Sequence, residues 1–372
     1  MTASPIADAK RLIVKIGSSL LVEESSGQIR REWLESLCED VARCRARGQE
    51  VVLVSSGAVA VGRRHLGLTP PLRLEQKQAA AATGQIQLAH AYQEALARHG
   101  ITCAQVLLTL ADSEDRRRYL NARQTLDTLL SLGAVPVINE NDTVATTEIR
   151  FGDNDRLAAR VAQMISADAL VLFSDIDGLY TADPRRDPDA TYLPEVHEIT
   201  PEIEAMAGDP GTGYGSGGMV TKLVAARICL SAGCRMAICK GEPLFPLTAL
   251  ENGARATWFI PDGGPRNARK QWIYGSMKPV GGLTVDDGAA RALAKGGSLL
   301  PAGIIAVEGE FDRGDCVLVR GTDSRVLGRG LAAYDSTDAR RIMGRKSADI
   351  ADILGDSRGD EMIHRDDLVM EG

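Results

Sequence analysis

Six short runs dominated by Val, Ile, Leu and Ala, at 12–16, 51–54, 101–108, 134–138, 169–173 and 235–239, restrict the first two-thirds of this chain to one kind of architecture. A strand that is apolar along its length, not at alternate positions, is covered on both faces. Longer helical patterns separate the runs: 30–47 stopped by Gly48, an Ala-rich 72–99 stopped by Gly100, about 115–132, about 155–165, and 219–232 stopped by Gly233. Strands alternating with helices give an α/β fold with a mainly parallel sheet. Ligands of such sheets bind beyond the carboxyl ends of the strands. The residues there are Gly17-Ser18-Ser19, Ser55-Ser56-Gly57, Asn139-Glu140-Asn141-Asp142 and Ser174-Asp175. Four polar ends on one sheet converge on a single crevice.

The pattern changes after about residue 262. Short strand-like pieces with frequent glycine follow, at 282–285, 303–307, 316–319 and 326–327, with one helical stretch near 289–294. A chain of 372 residues exceeds one ordinary domain. The expected division is a first domain at 1–265, a linker at 266–278 and a small β-rich domain at 279–372. The net charge of −7 and an aromatic content of 4% exclude a basic, ring-rich nucleic-acid binder for the whole chain. Residues 279–372 carry 12 Lys/Arg against 17 Asp/Glu, which argues against RNA there too, although Arg340-Arg341 and Arg345-Lys346 form a local basic patch. No apolar run reaches 18 residues, so no membrane helix is expected. The N-terminus lacks a signal-peptide core. The seven cysteines form no C-x-x-C pair, which points to reduced, mostly buried thiols in a cytoplasmic protein.

Residues 211–222 carry five glycines in eight positions, then a helix that opens near Met219 and holds Lys222. Glycines let backbone N–H groups approach an anion, and a helix N-terminus adds free donors and a positive dipole end. The segment is not a P-loop, because no glycine directly precedes Lys222. Gly213, Gly215 and Gly218 fit the dinucleotide spacing, but no strand leads into them; an NAD enzyme and a plain surface loop are the competing readings. Lys15 interrupts an apolar run, so it either finds an anionic partner or reaches water at the strand end. Asn139–Asp142 and Phe151–Asp155 each combine amides with carboxylates. An amide donates to a ligand carboxylate and an aspartate accepts from an ammonium, as a zwitterionic amino acid requires; helix caps and Asx turns are the alternative. Arg116-Arg117-Arg118 reads as a solvated helix face more than a phosphate site. The five histidines show no metal spacing, and no complete Gly-x-Ser-x-Gly is present.

Val14-Lys15-Ile16-Gly17-Ser18-Ser19, Val54-Ser55-Ser56-Gly57-Ala58, Val137–Asp142, Phe151–Asp155, Asp177–Pro184 and Gly217–Lys222 together resemble the amino acid kinase family. They lie in order from about residue 11 to 240. Gly282–Ala289 and Gly297–Gly303 resemble a PUA domain. The resemblance implies a three-layer αβα sandwich around a mainly parallel sheet, with a small PUA-like domain behind it. It also implies ATP-dependent phosphorylation of the L-glutamate side-chain carboxylate to γ-glutamyl 5-phosphate, the first step of proline biosynthesis. The same fold also serves acetylglutamate, aspartate, carbamate and uridylate kinases. Carried over residue by residue, Lys15 and Lys222 contact the phosphates and Asp155 holds the lysines. Ser56, Asp142 and Asn154 bind glutamate. Ser174 and Asp175, with Ser216, Gly217, Gly218, Met219, Val220, Thr221 and Lys222, bind ATP. Ser55 and Ser174 stand where threonine is expected, and Val220 where a small polar residue is frequent. Mg²⁺ accompanies ATP without an evident protein ligand. The resemblance further implies feedback inhibition by L-proline, a homo-oligomer (dimer or tetramer), and handover of the product to glutamate-5-semialdehyde dehydrogenase.

Overall fold

Each run of the first two-thirds sends alternate side chains to opposite sides of one sheet. The computed structural model describes residues 6–23, 25–145, 153–208, 218–265, 268, 278–355 and 359–371. The chain divides into two units, Met1–Pro265 and Arg266–Gly372.

In the first unit the elements run β1 (Arg11–Ile16), α1 (Ser18–Leu21), α2 (Arg31–Ala46), β2 (Glu50–Val54), α3 (Ala58–His65), α4 (Leu74–Ala97), β3 (Cys103–Leu108), α5 (Leu110–Glu114) and α6 (Arg116–Ser131). They continue with β4 (Val135–Glu140), α7 (Asp153–Met164), β5 (Ala169–Ser174), β6 (Leu179–Tyr180), β7 (Tyr192–Leu193), β8 (Glu195–Val196), α8 (Pro201–Ala205), α9 (Met219–Ser231), β9 (Arg235–Lys240), α10 (Pro246–Glu251) and β10 (Ala256–Phe259). The main sheet has the order β3-β4-β2-β1-β5-β9-β10-β8. The six strands from β3 to β9 are parallel neighbours, as expected from their sequences. β10 adds an antiparallel pairing with β9, which the apolar pattern did not reveal because the strand is only four residues long.

Leu12, Val14, Ile16, Val51, Leu53, Val135, Val137, Val171 and Phe173 enter a core with α2, α4 and α10. Ile13, Val52, Val54, Ile138, Leu170, Leu172, Met236 and Ile238 enter a second core with α6, α7 and α9. Helix, sheet and helix therefore form three layers. β1 lies between β2 and β5, so the chain leaves it toward one side of the sheet and later returns on the other. That is the switch point at which a crevice opens beyond the strand ends.

One backbone approach ties a strand end to the layer beneath it. α3 starts at Ala58, directly after Ser55-Ser56-Gly57, and crosses α4 through glycines. A Cβ on Gly84 would lie 1.9 Å from the Ala58 carbonyl oxygen, and one on Gly62 would lie 1.7 Å from that of Ala80. No side chain fits between the two helices at these points.

The second unit holds a five-stranded sheet, β12-β11-β13-β14-β15, built from β11 (Gly281–Val285), β12 (Ile304–Gly309), β13 (Cys316–Arg320), β14 (Val326–Leu331) and β15 (Leu368–Met370). β11 and β13 pair in parallel and the other pairs are antiparallel. Leu283, Val285, Val317, Val319, Tyr334, Ile342 and Ile363 form its core. The β-rich character expected from the sequence is present; helices at Ser336–Ile342 and Ile350–Leu354 and the three-residue β15 were too short to stand out.

The Gly84→Ala substitution tests the helix crossing. Alanine gains about 1 kcal/mol of helix propensity. Forcing two packed backbones apart costs about 3 kcal/mol, at the upper end of ordinary overpacking. The expected net loss is about 2 kcal/mol, read as a lower urea midpoint. An unchanged or raised midpoint would show that the helices separate freely.

Candidate active site

Strand alternation explains where Lys15 goes. Ile13 belongs to the core shared with α7 and α9, and Lys15, two residues on, projects to the same side. Its Nζ lies 2.6 Å from Asp155 Oδ1. Lys222, in the first turn of α9, places its Nζ 3.1 Å from Asp155 Oδ2. Thr221 Oγ1 lies 3.2 Å from the same oxygen. The three charged residues are 7%, 9% and 1% exposed for Lys15, Lys222 and Asp155. Among the described residues two buried ammonium groups share one buried carboxylate, with the exposed Asp175 also acting on Lys15 by charge, and cations placed this way attract an anion.

The protonation equilibria reflect this balance. Burial dominates at Lys15 and, with the charge of Lys222, lowers its pKa despite the attraction of Asp155. Burial alone would raise the pKa of Asp155, but the two lysines and their hydrogen bonds bring it below the ordinary carboxylate value.

Asn154, adjacent to Asp155 at the start of α7, faces a different set of partners. Its Nδ2 lies 2.9 Å from the Ser55 carbonyl oxygen, 3.0 Å from Ser56 Oγ and 3.1 Å from Asn139 Oδ1. The backbone N–H of Glu140 donates to Asn139 Oδ1 at 2.9 Å. That contact identifies Asn139 Oδ1 as the oxygen, so the Asn154 atom facing it is the nitrogen. Asn154 Oδ1 then points elsewhere, and it is closed to water with no hydrogen-bond partner among the described residues. A buried acceptor without a donor is costly unless a ligand supplies one. Two consecutive residues of α7 thus join the lysine pair to an amide and hydroxyl cluster.

The remaining expected site residues distribute as follows. Asp142 is buried in the turn after β4. Ser174 is buried at the end of β5 and its Oγ donates to Asp175 Oδ1 at 3.0 Å. The Asp175 side chain is exposed, with Arg185 Nη1 3.9 Å from its Oδ2. Gly218 is the N-cap of α9, Met219 is buried and Val220 is exposed. Ser216 and Gly217 lie outside the described residues, as do Phe151 and Gly152 and most of the glycine-rich stretch. Among the described residues no three His, Cys, Asp or Glu side chains converge as a metal site. No helix among them is long and apolar enough to cross a membrane. All seven cysteines are unpaired, and six are buried.

Two residues of α4 were missed from sequence. Gln85 Oε1 accepts from Asn139 Nδ2 at 2.6 Å, and Tyr92 Oη donates to Ser55 Oγ at 3.1 Å. Their signal is a polar Gln inside the buried stripe Ala81, Gln85, Leu88, Tyr92 of an otherwise Ala-rich helix.

Comparison with known proteins follows the same lines. A sequence profile of the amino acid kinase family matches residues 10–240, and one of the PUA domain matches residues 281–354. A protein named glutamate 5-kinase from Paramagnetospirillum magneticum is 76% identical over 369 residues, covering 99% of this chain and 100% of that one. Another of that name from Rhodospirillum rubrum is 61% identical over 360 residues, covering 96% of each. Among solved structures, carbamate kinase from Giardia lamblia bound to AMP-PNP aligns with a TM-score of 0.50 and 18% identity, over 69% of this chain and 100% of that one. That likeness concerns the fold alone.

Asp155→Asn is expected to cost about 3–5 kcal/mol, because it strands two buried ammonium groups. The pKa of Asp155 lies below its ordinary 3.8 in the folded chain, so its contribution is complete above pH 3.8 and is lost as the pH falls through the lowered value. The stability gap between the parent and the variant should therefore be widest near neutral pH and close in acid, as followed by urea unfolding across pH. A gap independent of pH would contradict the charge-based origin.

Proposed function

The chain belongs to the amino acid kinase family, and on that premise we propose that it phosphorylates the side-chain carboxylate of L-glutamate with ATP, giving γ-glutamyl 5-phosphate and ADP, the first step of proline biosynthesis. The choice of glutamate rests on 76% identity over nearly the whole chain to a protein named glutamate 5-kinase. The observation that carries the chemistry is one buried carboxylate shared by two buried lysines, beside an Asn154 Oδ1 that has no partner among the described residues.

The glutamate carboxylate is the nucleophile. One of its oxygens forms a bond to the γ-phosphorus as the bond from that phosphorus to the β,γ-bridging oxygen breaks, and ADP leaves with the electron pair. The carboxylate is already ionised near neutral pH, so no general base is required. The obstacle is charge: two unit anions about 4 Å apart repel by about 4 kcal/mol at an effective dielectric of about 20. Lys15 and Lys222 offset that repulsion and stabilise the charge that develops on the transferring group. Asp155 holds both ammonium groups in place. Ser56, Asp142 and Asn154 take the glutamate, with Asn154 Oδ1 and Asp142 as acceptors for its ammonium group. Ser174, Asp175 and residues Ser216 to Lys222 take ATP, the N-terminus of α9 supplying backbone donors to its phosphates. The described residues do not form a protein cage for Mg²⁺, which in this reading enters on the ATP oxygens. We assign the kinase chemistry to residues 1–265, a linker to 266–278 and the PUA-like domain to 279–372.

The test is ATP consumption with L-glutamate, Mg²⁺ and hydroxylamine, which traps an acyl phosphate as its hydroxamate; N-acetylglutamate and aspartate run in parallel. Hydroxamate from glutamate alone is the expected result, and product from a rival acid alone would overturn the substrate. Lys222→Ala should lower kcat by about 10³, or about 4 kcal/mol of barrier. A near-parental rate would remove Lys222 from the mechanism.

A further inference from the structure

We propose that Gln85 is a positioning residue for glutamate binding: it fixes Asn139, which fixes Asn154, so that Asn154 Oδ1 faces the substrate's ammonium group. This rests on the reading of Asn154 as a glutamate contact. Gln85 is only 9% exposed and its Oε1 is 2.6 Å from Asn139 Nδ2. The polarity of the chain of contacts is set from the backbone outward. The Glu140 N–H makes the atom it meets on Asn139 an acceptor, leaving the Asn139 nitrogen toward Gln85. Only the amide oxygen of Gln85 can meet that nitrogen. On the other side, Asn139 Oδ1 and the Ser55 carbonyl oxygen are both acceptors, and they hold the Asn154 nitrogen between them. Each contact removes one rotation, and the outcome is a fixed direction for Asn154 Oδ1.

The helix that carries Gln85 is itself immobilised at that height. Gly84, the preceding residue, packs against the Ala58 carbonyl so closely that a Cβ would lie 1.9 Å from its oxygen. Ala58 follows the Ser55-Ser56-Gly57 turn, so the strand end and the Gln85 backbone share one anchor. Without the Gln85 acceptor, Asn139 Nδ2 is a buried donor with no other partner among the described residues, and the side chain turns to find one. The consequence falls on glutamate binding, because the lysine pair is held by Asp155, whose contacts to Lys15, Lys222 and Thr221 do not pass through Gln85 or Asn139.

Gln85→Met keeps the length of the side chain and removes the acceptor. Gln85→Glu keeps an acceptor oxygen whether ionised or protonated. In initial-rate kinetics on the full chain, Gln85→Met is expected to raise the KM for glutamate by on the order of tenfold, with kcat and the KM for ATP within about twofold of the parent. Gln85→Glu should restore the KM for glutamate to within about threefold. Asn154→Leu is measured alongside. No change in the KM for glutamate in Asn154→Leu would overturn the underlying reading of Asn154. A rise in Asn154→Leu with none in Gln85→Met would overturn the positioning role alone. So would equal rises for both substrates, or a Gln85→Glu variant as impaired as Gln85→Met. Gln85→Leu, also without an acceptor, replaces Gln85→Met if the latter lacks a cooperative thermal transition.

Discussion

A single buried carboxylate facing two buried lysines sets the conditions for the rest of the first unit. Asp155 is 1% exposed, and its two partners come from β1 and α9, distant in sequence. Removing these charges from water costs several kcal/mol per ion, and only close pairing repays it. The pairing exists only if β1, α7 and α9 keep their mutual positions. The parallel sheet provides this: β1 is held between β2 and β5, while α7 and α9 pack side by side on one face. The fold's apolar layers therefore stabilise a polar arrangement that is unfavourable by itself.

The cluster around Asn154 supports the site by other means. There the polar groups are neutral amides and hydroxyls, and the problem is orientation instead of charge. An amide has one acceptor end and one donor end, and at the Asn139–Asn154 contact a reversed group would set two like ends against each other. Contacts to backbone N–H and C=O groups, whose polarity is invariant, settle each direction in turn. α4 completes the set through Gln85 and Tyr92, seven residues and about two turns apart on one helix face. The glycine crossing with α3 keeps that face at a constant height relative to the end of β2.

Much of this was legible in the sequence, and the gaps have physical causes. The parallel strands were visible because a strand covered on both faces must be apolar along its length. Lys15 stood out because a charge inside such a run needs a partner, but its partner could not be derived from spacing, since Asp155 is 140 residues away. The Ser55–Ser56 and Asn139–Asp142 segments were visible as polar strand ends. Gln85 and Tyr92 were not, because helix periodicity marks which face is buried and says little about which buried polar atom meets a partner. Short elements such as β10 and α10 escaped for a related reason: four to six residues do not display a period.

The imbalance of charge is the feature that connects stability to chemistry. A second acid beside Asp155 would neutralise the cluster and ease its burial, and it would also cancel the attraction for an incoming phosphate. A missing Asp155 would leave more positive charge but no fixed geometry, and burial would then drive Lys15 toward its neutral form. One carboxylate for two lysines lies between these limits. It directs both lysine side chains and leaves them able to meet a phosphoryl group. The lowered pKa of Lys15 shows that this compromise has a cost even in the folded chain. A bound anion reduces that cost, so the same charge that weakens the fold strengthens its hold on substrate.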